Sequence, residues 1–221
     1  MSETRRRRHA GQALMVGVLL PLLILGMHPT AHDLAADSGS RMTMVNHLVH
    51  GVALFAQPIV LLGLVGVSWV LGWTTLAVAG LICYSLSVVG MIPAALASGF
   101  IGSDVVAAIK QGGDAAGQFE VLLTYTHFIN QAFARCSTIG AGLALVAWGA
   151  EILTGRRLSR ASGVVGLVVG AVLALGVLTG FLRLDVRGIL LTTALQAVWM
   201  GMVALQLLRM PEPGTVAPGS S

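Results

Sequence analysis

Six stretches of this chain, 11–27, 49–70, 74–98, 122–153, 161–181 and 188–208, are apolar over a length close to the thickness of a bilayer. A hydrocarbon core about 30 Å thick is crossed by roughly 20 helical residues. Backbone groups in lipid find no water, so a stretch of that kind must close its own hydrogen bonds as a helix. The expected fold class is therefore an all-α integral membrane protein, a bundle of about six transmembrane helices. Composition leads the same way: 56% of the 221 residues are hydrophobic and 10% are charged, against about 25% charged in a soluble domain. The mean hydropathy is +0.86. No soluble core absorbs that much apolar surface.

Arginine placement gives the expected orientation. Arg5 to Arg8 precede the first stretch, Arg156, Arg157 and Arg160 join the fourth to the fifth, and Arg209 follows the sixth. Six spans put all of these on one side, while Arg41, Lys110, Arg183 and Arg187 fall on the other, in loops that also hold acids. Positive residues stay inside, so both termini are expected in the cytoplasm. Three parts follow: a basic N-terminus at 1–10, a six-helix domain at 11–210, and a disordered cytoplasmic tail at 211–221, rich in Pro, Gly and Ser. Residues 1–31 also carry features of a secretory signal, namely the arginine run, an apolar stretch and then Ala31, with Ala35 and Ala36 beyond. The stretch is long for a signal and Pro21 interrupts it, which favours a retained helix. Basic runs beside apolar spans act as topology signals and contacts to anionic membrane lipids; no nucleic-acid-binding signature accompanies them. Lys110 is the only lysine among the basic residues, a bias that suits a GC-rich bacterial genome and hence a bacterial inner membrane.

Small residues mark expected packing faces. Ser162, Gly166, Gly170 and Ala174 recur every four residues, and Gly176 and Gly180 repeat the spacing. Such faces let two helix backbones approach closely, either within the bundle or, through Gly166 and Gly170, in a homo- or hetero-oligomer. Pro21, Pro58 and Pro93 lie inside the first three stretches, where each should free a carbonyl and bend its helix.

Polar groups gather at one end. His28, His32, His47, His50 and His127 belong to the expected outer side, and only His9 to the inner. In the fourth stretch Glu120, Thr124, His127, Gln131, Arg135 and Thr138 recur at three or four residues, on one helix face with Asn130 at its edge. Lipid offers such groups no partner, so the stripe is expected to face inward, with Arg135 near the outer boundary. The second stretch adds Asn46, His47, His50 and Gln57, and the buried amide of Gln57 needs a partner on the fourth or sixth span. Spans two and four, with loops 28–45 and 99–120, should enclose an outer pocket. Its ligand-binding residues are His127, Asn130, Gln131, Arg135 and Gln57, with Arg135 suited to an anion.

The histidines admit metal chemistry as well. His47 and His50, one turn apart, with His127 from the fourth span, are the candidate metal ligands. Imidazoles near Met27, Met42 and Met44 suit copper, and imidazoles alone suit zinc. A haem b would take His50 and His127 axially with Arg135 at its propionates. Catalysis is not expected: the chain lacks GxSxG, HExxH, a phosphate-cradling glycine loop and a paired-acid arrangement, and Cys83 and Cys136 belong to no metal-binding spacing. Three functions remain in view: a non-catalytic binding, sensing or assembly subunit with a His/Arg-lined outer pocket, a small-solute or proton-coupled transporter, and a haem- or copper-binding redox protein.

Overall fold

The computed structural model describes residues 2–29, 41–112 and 116–210. Its elements are α1 (Glu3–Leu25), α2 (Arg41–Leu71), α3 (Thr75–Ala95), a π-helical turn (Leu96–Ile101), α4 (Gly102–Gln111), α5 (Ala116–Gly155), α6 (Arg160–Leu178) and α7 (Val186–Arg209). Among the described residues there is no strand. Six helices, α3 being counted with the π turn and α4, are long and apolar enough to cross a membrane. The expected tail at 211–221, and His32 with most of its loop, lie outside the described residues.

Several helices run further than their apolar cores. The arginine run is not a separate segment: Ser2 caps α1 by accepting from the Arg5 N–H, and Glu3 stands in the first turn, where a carboxylate favours a helix start. Helix α2 begins eight residues before its apolar stretch, and most of the expected loop 99–120 is helical, as the π turn and α4. Helices α1 and α2 run uninterrupted through Pro21 and Pro58, whereas α3 passes into the π turn three residues after Pro93.

Neighbouring helices pack in the order α1, α2, α3, α5, α6, α7, and α7 returns to α1. The result is a closed ring whose two ends differ in chemistry. At one end Glu3, Arg7, Trp69, Val70, Arg157 and Met210 surround a common recess, so both chain ends of the described bundle and the turns after α2 and α5 meet there. This is the arginine end. The turn after α2 uses Gly72 at φ +90°, a conformation that favours glycine. His28, His50 and the π turn lie at the other, histidine end.

The arginine half is tightly packed. Trp148 on α5 and Trp199 on α7 have no exposed surface and stack with ring centroids 5.8 Å apart. The Trp148 indole N–H lies 3.1 Å from both Ser68 Oγ and the Ala77 carbonyl, and that of Trp199 donates to the Ser162 carbonyl at 2.9 Å. Each apolar ring is thus buried without leaving a polar atom unpaired. Helices α5 and α6 touch through glycines: a Cβ at Gly142 would stand 2.7 Å from the Gly170 carbonyl oxygen, and one at Gly149 would stand 2.7 Å from the Leu167 nitrogen. Gly166 faces the same seam and the Trp199 indole. The small-residue face of α6 therefore packs inside the bundle, and Gly166 and Gly170 are not open to a second chain. Gly180 is no packing residue either: α6 ends at Leu178, and Gly180 takes φ +74° in the turn that follows. Helix α1 is part of this core, with Leu14 fully buried against Gly63 of α2.

Candidate functional site

Above the tryptophan pair the ring encloses a partly open cavity of about 200 Å³. Five helices line it, each with a face that repeats every three or four residues. Helix α3, with the π turn, contributes Tyr84, Ser87, Met91 and Ser98; α5 contributes Asn130, Ala134, Ser137 and Thr138; α7 contributes Thr192, Thr193, Gln196 and Met200. Helix α2 adds His50, Ala53 and Gln57, and α1 adds Val18, Pro21 and Leu25 with His28 just beyond it. Aliphatic side chains and methionines form much of the wall, and among the described residues no Asp, Glu, Lys or Arg lines it.

The polar groups bind one another across helices. The Tyr84 hydroxyl donates to Gln57 Oε1 at 3.2 Å, the Ser87 and Ser137 hydroxyls are 3.1 Å apart, and Asn130 Nδ2 donates to the Ala94 carbonyl at 2.8 Å. That carbonyl lies four residues before Ser98, where the regular bonding of α3 gives way to the π turn. Asn46 on α2, 1% exposed, braces the same turn by donating from Nδ2 to the Ser98 and Gly99 carbonyls at 3.1 and 3.0 Å. His50 Nδ1 is 2.9 Å from the Asn46 carbonyl and its Nε2 is 2.8 Å from Ser98 Oγ. A carbonyl only accepts, so Nδ1 carries a proton, and the Ser98 hydroxyl, able to donate or accept, partners Nε2. His28 meets His50 edge to face, with centroids 5.0 Å apart, while its Nδ1 donates to the Pro29 carbonyl at 2.8 Å. A Cβ at Gly99 would run into the His50 ring, so the absence of a side chain there lets α2 and the π turn close together.

The expected site residues fall into two groups. His50, Gln57 and Asn130 line the cavity; His47, His127, Gln131 and Arg135 do not. His47 turns toward the π turn and α4, with Nε2 3.0 Å from Ser103 Oγ and 3.8 Å from Asp104 Oδ1 and its ring stacked on Phe100. Gln131 donates to the Leu184 carbonyl at 3.1 Å and so ties α5 to the turn before α7. His127 and Arg135 are exposed on the outer face of α5, as are Glu120 and Thr124. The inward face of α5 is instead the one carrying Asn130, Ala134, Ser137 and Thr138. One residue turns a helix by about 100°, and Asn130, at the edge of the expected face, belongs to the true one. The partner of Gln57 is on neither the fourth nor the sixth span but on the third, at Tyr84.

This placement bears on the metal and haem readings. Among the described residues no three of His, Cys, Asp and Glu come together in a group able to hold a metal ion. His47, His50 and His127 point to Ser103, Ser98 and the surface, and they do not form one donor set. Tyr84, Ser87, Ser98 and Ser137 were missed as site residues. Their signal lies in the third stretch, where Tyr84, Ser87 and Ser98 interrupt an apolar run at helical spacing.

The chain matches no known protein family, no curated protein and no solved structure.

Proposed function

We propose that this is a multi-pass protein of a bacterial plasma membrane, with both termini cytoplasmic, and that it binds a small uncharged molecule in the cavity at its histidine end. The ligand is largely apolar and carries one or more hydrogen-bonding groups. A single observation carries the reading: a cavity inside the helix ring whose wall, among the described residues, combines aliphatic side chains with amides, hydroxyls and imidazoles and holds no Asp, Glu, Lys or Arg. Ligand sites are typically apolar hollows with a few placed polar groups that fix orientation. An anion would find no cation in this wall, because Arg135 stands outside it. The orientation rests on the arginines gathered at the opposite end, which makes the cavity outward-facing. Binding is favoured over transport because Trp148 and Trp199 close the bundle beyond the cavity floor, and passage would require that stacked pair to separate.

The test is mass spectrometry of the organic extract from protein taken out of its own membrane with native lipid. The expected result is a neutral compound near one per chain that is lost in Ala134→Phe, which fills the cavity, and reduced in Gln57→Leu. Wild-type protein carrying no compound above the level of Ala134→Phe, with no thermal shift from a panel of small neutral amphiphiles, would overturn the reading.

A further inference from the structure

At the opposite end from the cavity, the recess bounded by α1, the end of α2, the turn after α5 and Met210 brings two guanidinium groups together. We propose that it binds a phosphate anion, presented there by the headgroup of an anionic phospholipid. The inference is independent of what the cavity binds.

Arg7 and Arg157 both line this recess, with Glu3, Trp69, Val70 and Met210. Each arginine is held by one contact that leaves most of its five N–H donors for other use. Arg7 pairs with Glu3 one turn earlier on α1. Arg157 follows Arg156, whose φ of +53° turns the chain out of α5, and its Nη1 donates to the Val70 carbonyl at 3.0 Å. Gly72 makes room for that guanidinium: a Cβ there would stand 3.0 Å from Nη1. Arg6 adds a third cation by lying over the Trp69 ring, with Cζ 5.6 Å from the centroid. Two guanidinium groups thus face one carboxylate around the recess, with a third cation on the ring of Trp69 beside it. The surplus is positive, and the planar, forked donors match the oxygens of a phosphate.

The surroundings favour a lipid as the source. Leu62, Val65 and Trp69 share one face of α2 at helical spacing, and Leu62 and Val65 are exposed. An acyl chain can follow that face while the headgroup rests on the arginines. Trp69, an indole with an apolar body and a polar N–H, stands where the two regions meet.

The experiment uses the full chain in detergent, with native mass spectrometry to follow exchange of added lipid. Phosphatidylglycerol should outcompete phosphatidylcholine by at least about fivefold for one retained site. Arg7→Gln with Arg157→Gln should remove the preference, Arg157→Lys should keep part of it, and Arg209→Gln should leave it unchanged. Inorganic phosphate alone is the second probe. If it displaces phosphatidylglycerol at low millimolar concentration, the recess holds phosphate but the lipid assignment is overturned; if it fails to, the lipid assignment is supported. Equal retention of the two lipids by the wild-type chain overturns the proposal without recourse to any variant. So does an undiminished preference in the double variant.

Discussion

The two halves of this bundle are built from the same helices and differ in what occupies the space those helices enclose. In the arginine half, glycines on α5 and α6 bring two backbones into contact, and the remaining space is filled by two tryptophans with paired indole N–H groups. In the histidine half α3 and α5 also come close, at Gly90 and Gly140, but the space inside the ring is lined by side chains that bond in pairs: Tyr84 with Gln57, Ser87 with Ser137, His50 with Ser98. Lipid is as apolar as leucine, so close packing rather than the hydrophobic effect holds membrane helices together. The contrast therefore assigns stability to one half and leaves the other free to enclose a cavity.

The largest effect that would test this division comes from the tryptophan pair. Trp148→Ala should cost about 3–5 kcal/mol, the range for a large aromatic removed from a filled core, and should appear as loss of the monodisperse folded species on heating in detergent. The next comparison sets the same small addition in each half. Gly142→Val places a methyl-bearing Cβ against the Gly170 backbone and should cost about 1–3 kcal/mol, whereas Ala134→Val adds its methyl groups at the cavity wall and should stay within about 0.5 kcal/mol. Equal losses in a denaturant titration of the two variants would erase the contrast between a full half and a roomy one.

Smaller effects sharpen the account of the polar half. Tyr84→Phe leaves the Gln57 carbonyl oxygen without its donor and should cost about 1 kcal/mol, while adding Gln57→Leu should recover much of that loss, since two unpaired partners removed together leave nothing unsatisfied. A double-mutant cycle measures this, and full additivity would mean that the Tyr84–Gln57 bond has no energetic weight. The smallest change is expected outside the ring altogether. His127→Ala and Arg135→Gln alter exposed side chains and should move the midpoint of unfolding by no more than about 0.5 kcal/mol, leaving ligand retention intact. Loss of a cavity ligand in Arg135→Gln would show that α5 turns its other face inward.

Much of the fold is legible because bilayer thickness imposes a length on apolar runs: all six spans can be found from hydropathy alone. Helix ends are less legible, since hydropathy marks the membrane and not the helix. That is why α2 begins at Arg41 rather than near 49, and why residues 102–111 are helical where a loop is expected. The site is harder still. Polar spacing on α5 identifies two neighbouring faces, His127–Gln131–Arg135 and Asn130–Ala134–Ser137, and the choice between them rests on contacts with α3 and α7 that no single helix encodes. The third span is hard to read because Tyr84, Ser85 and Ser87 form one short polar interruption in a long apolar run, and only the partners opposite Tyr84 and Ser87, Gln57 and Ser137, give those two a role. Glycine spacing on α6 was readable as a packing face; which surface it meets became clear only from Gly142 and Gly149 on α5.

The π turn from Leu96 to Ile101 gives this protein an adjustable phase. A π turn carries one residue more than the α-helix it interrupts. Side chains from Tyr84 to Ala94 follow one angular setting, and those from Ser98 through α4 follow another, offset by that spare residue. Deleting one residue between 96 and 101 would remove the spare residue and let the turn close as a continuous α-helix, with α4 beyond it left nearly where it stands. The wide turn itself would be lost, and with it the backbone that holds Ser98 Oγ at His50 and the Ser98 and Gly99 carbonyls at Asn46, while Tyr84 and the tryptophan pair beneath it stayed where they are. The mouth of the cavity and its floor can therefore change independently, within one helix, at the cost of a single codon.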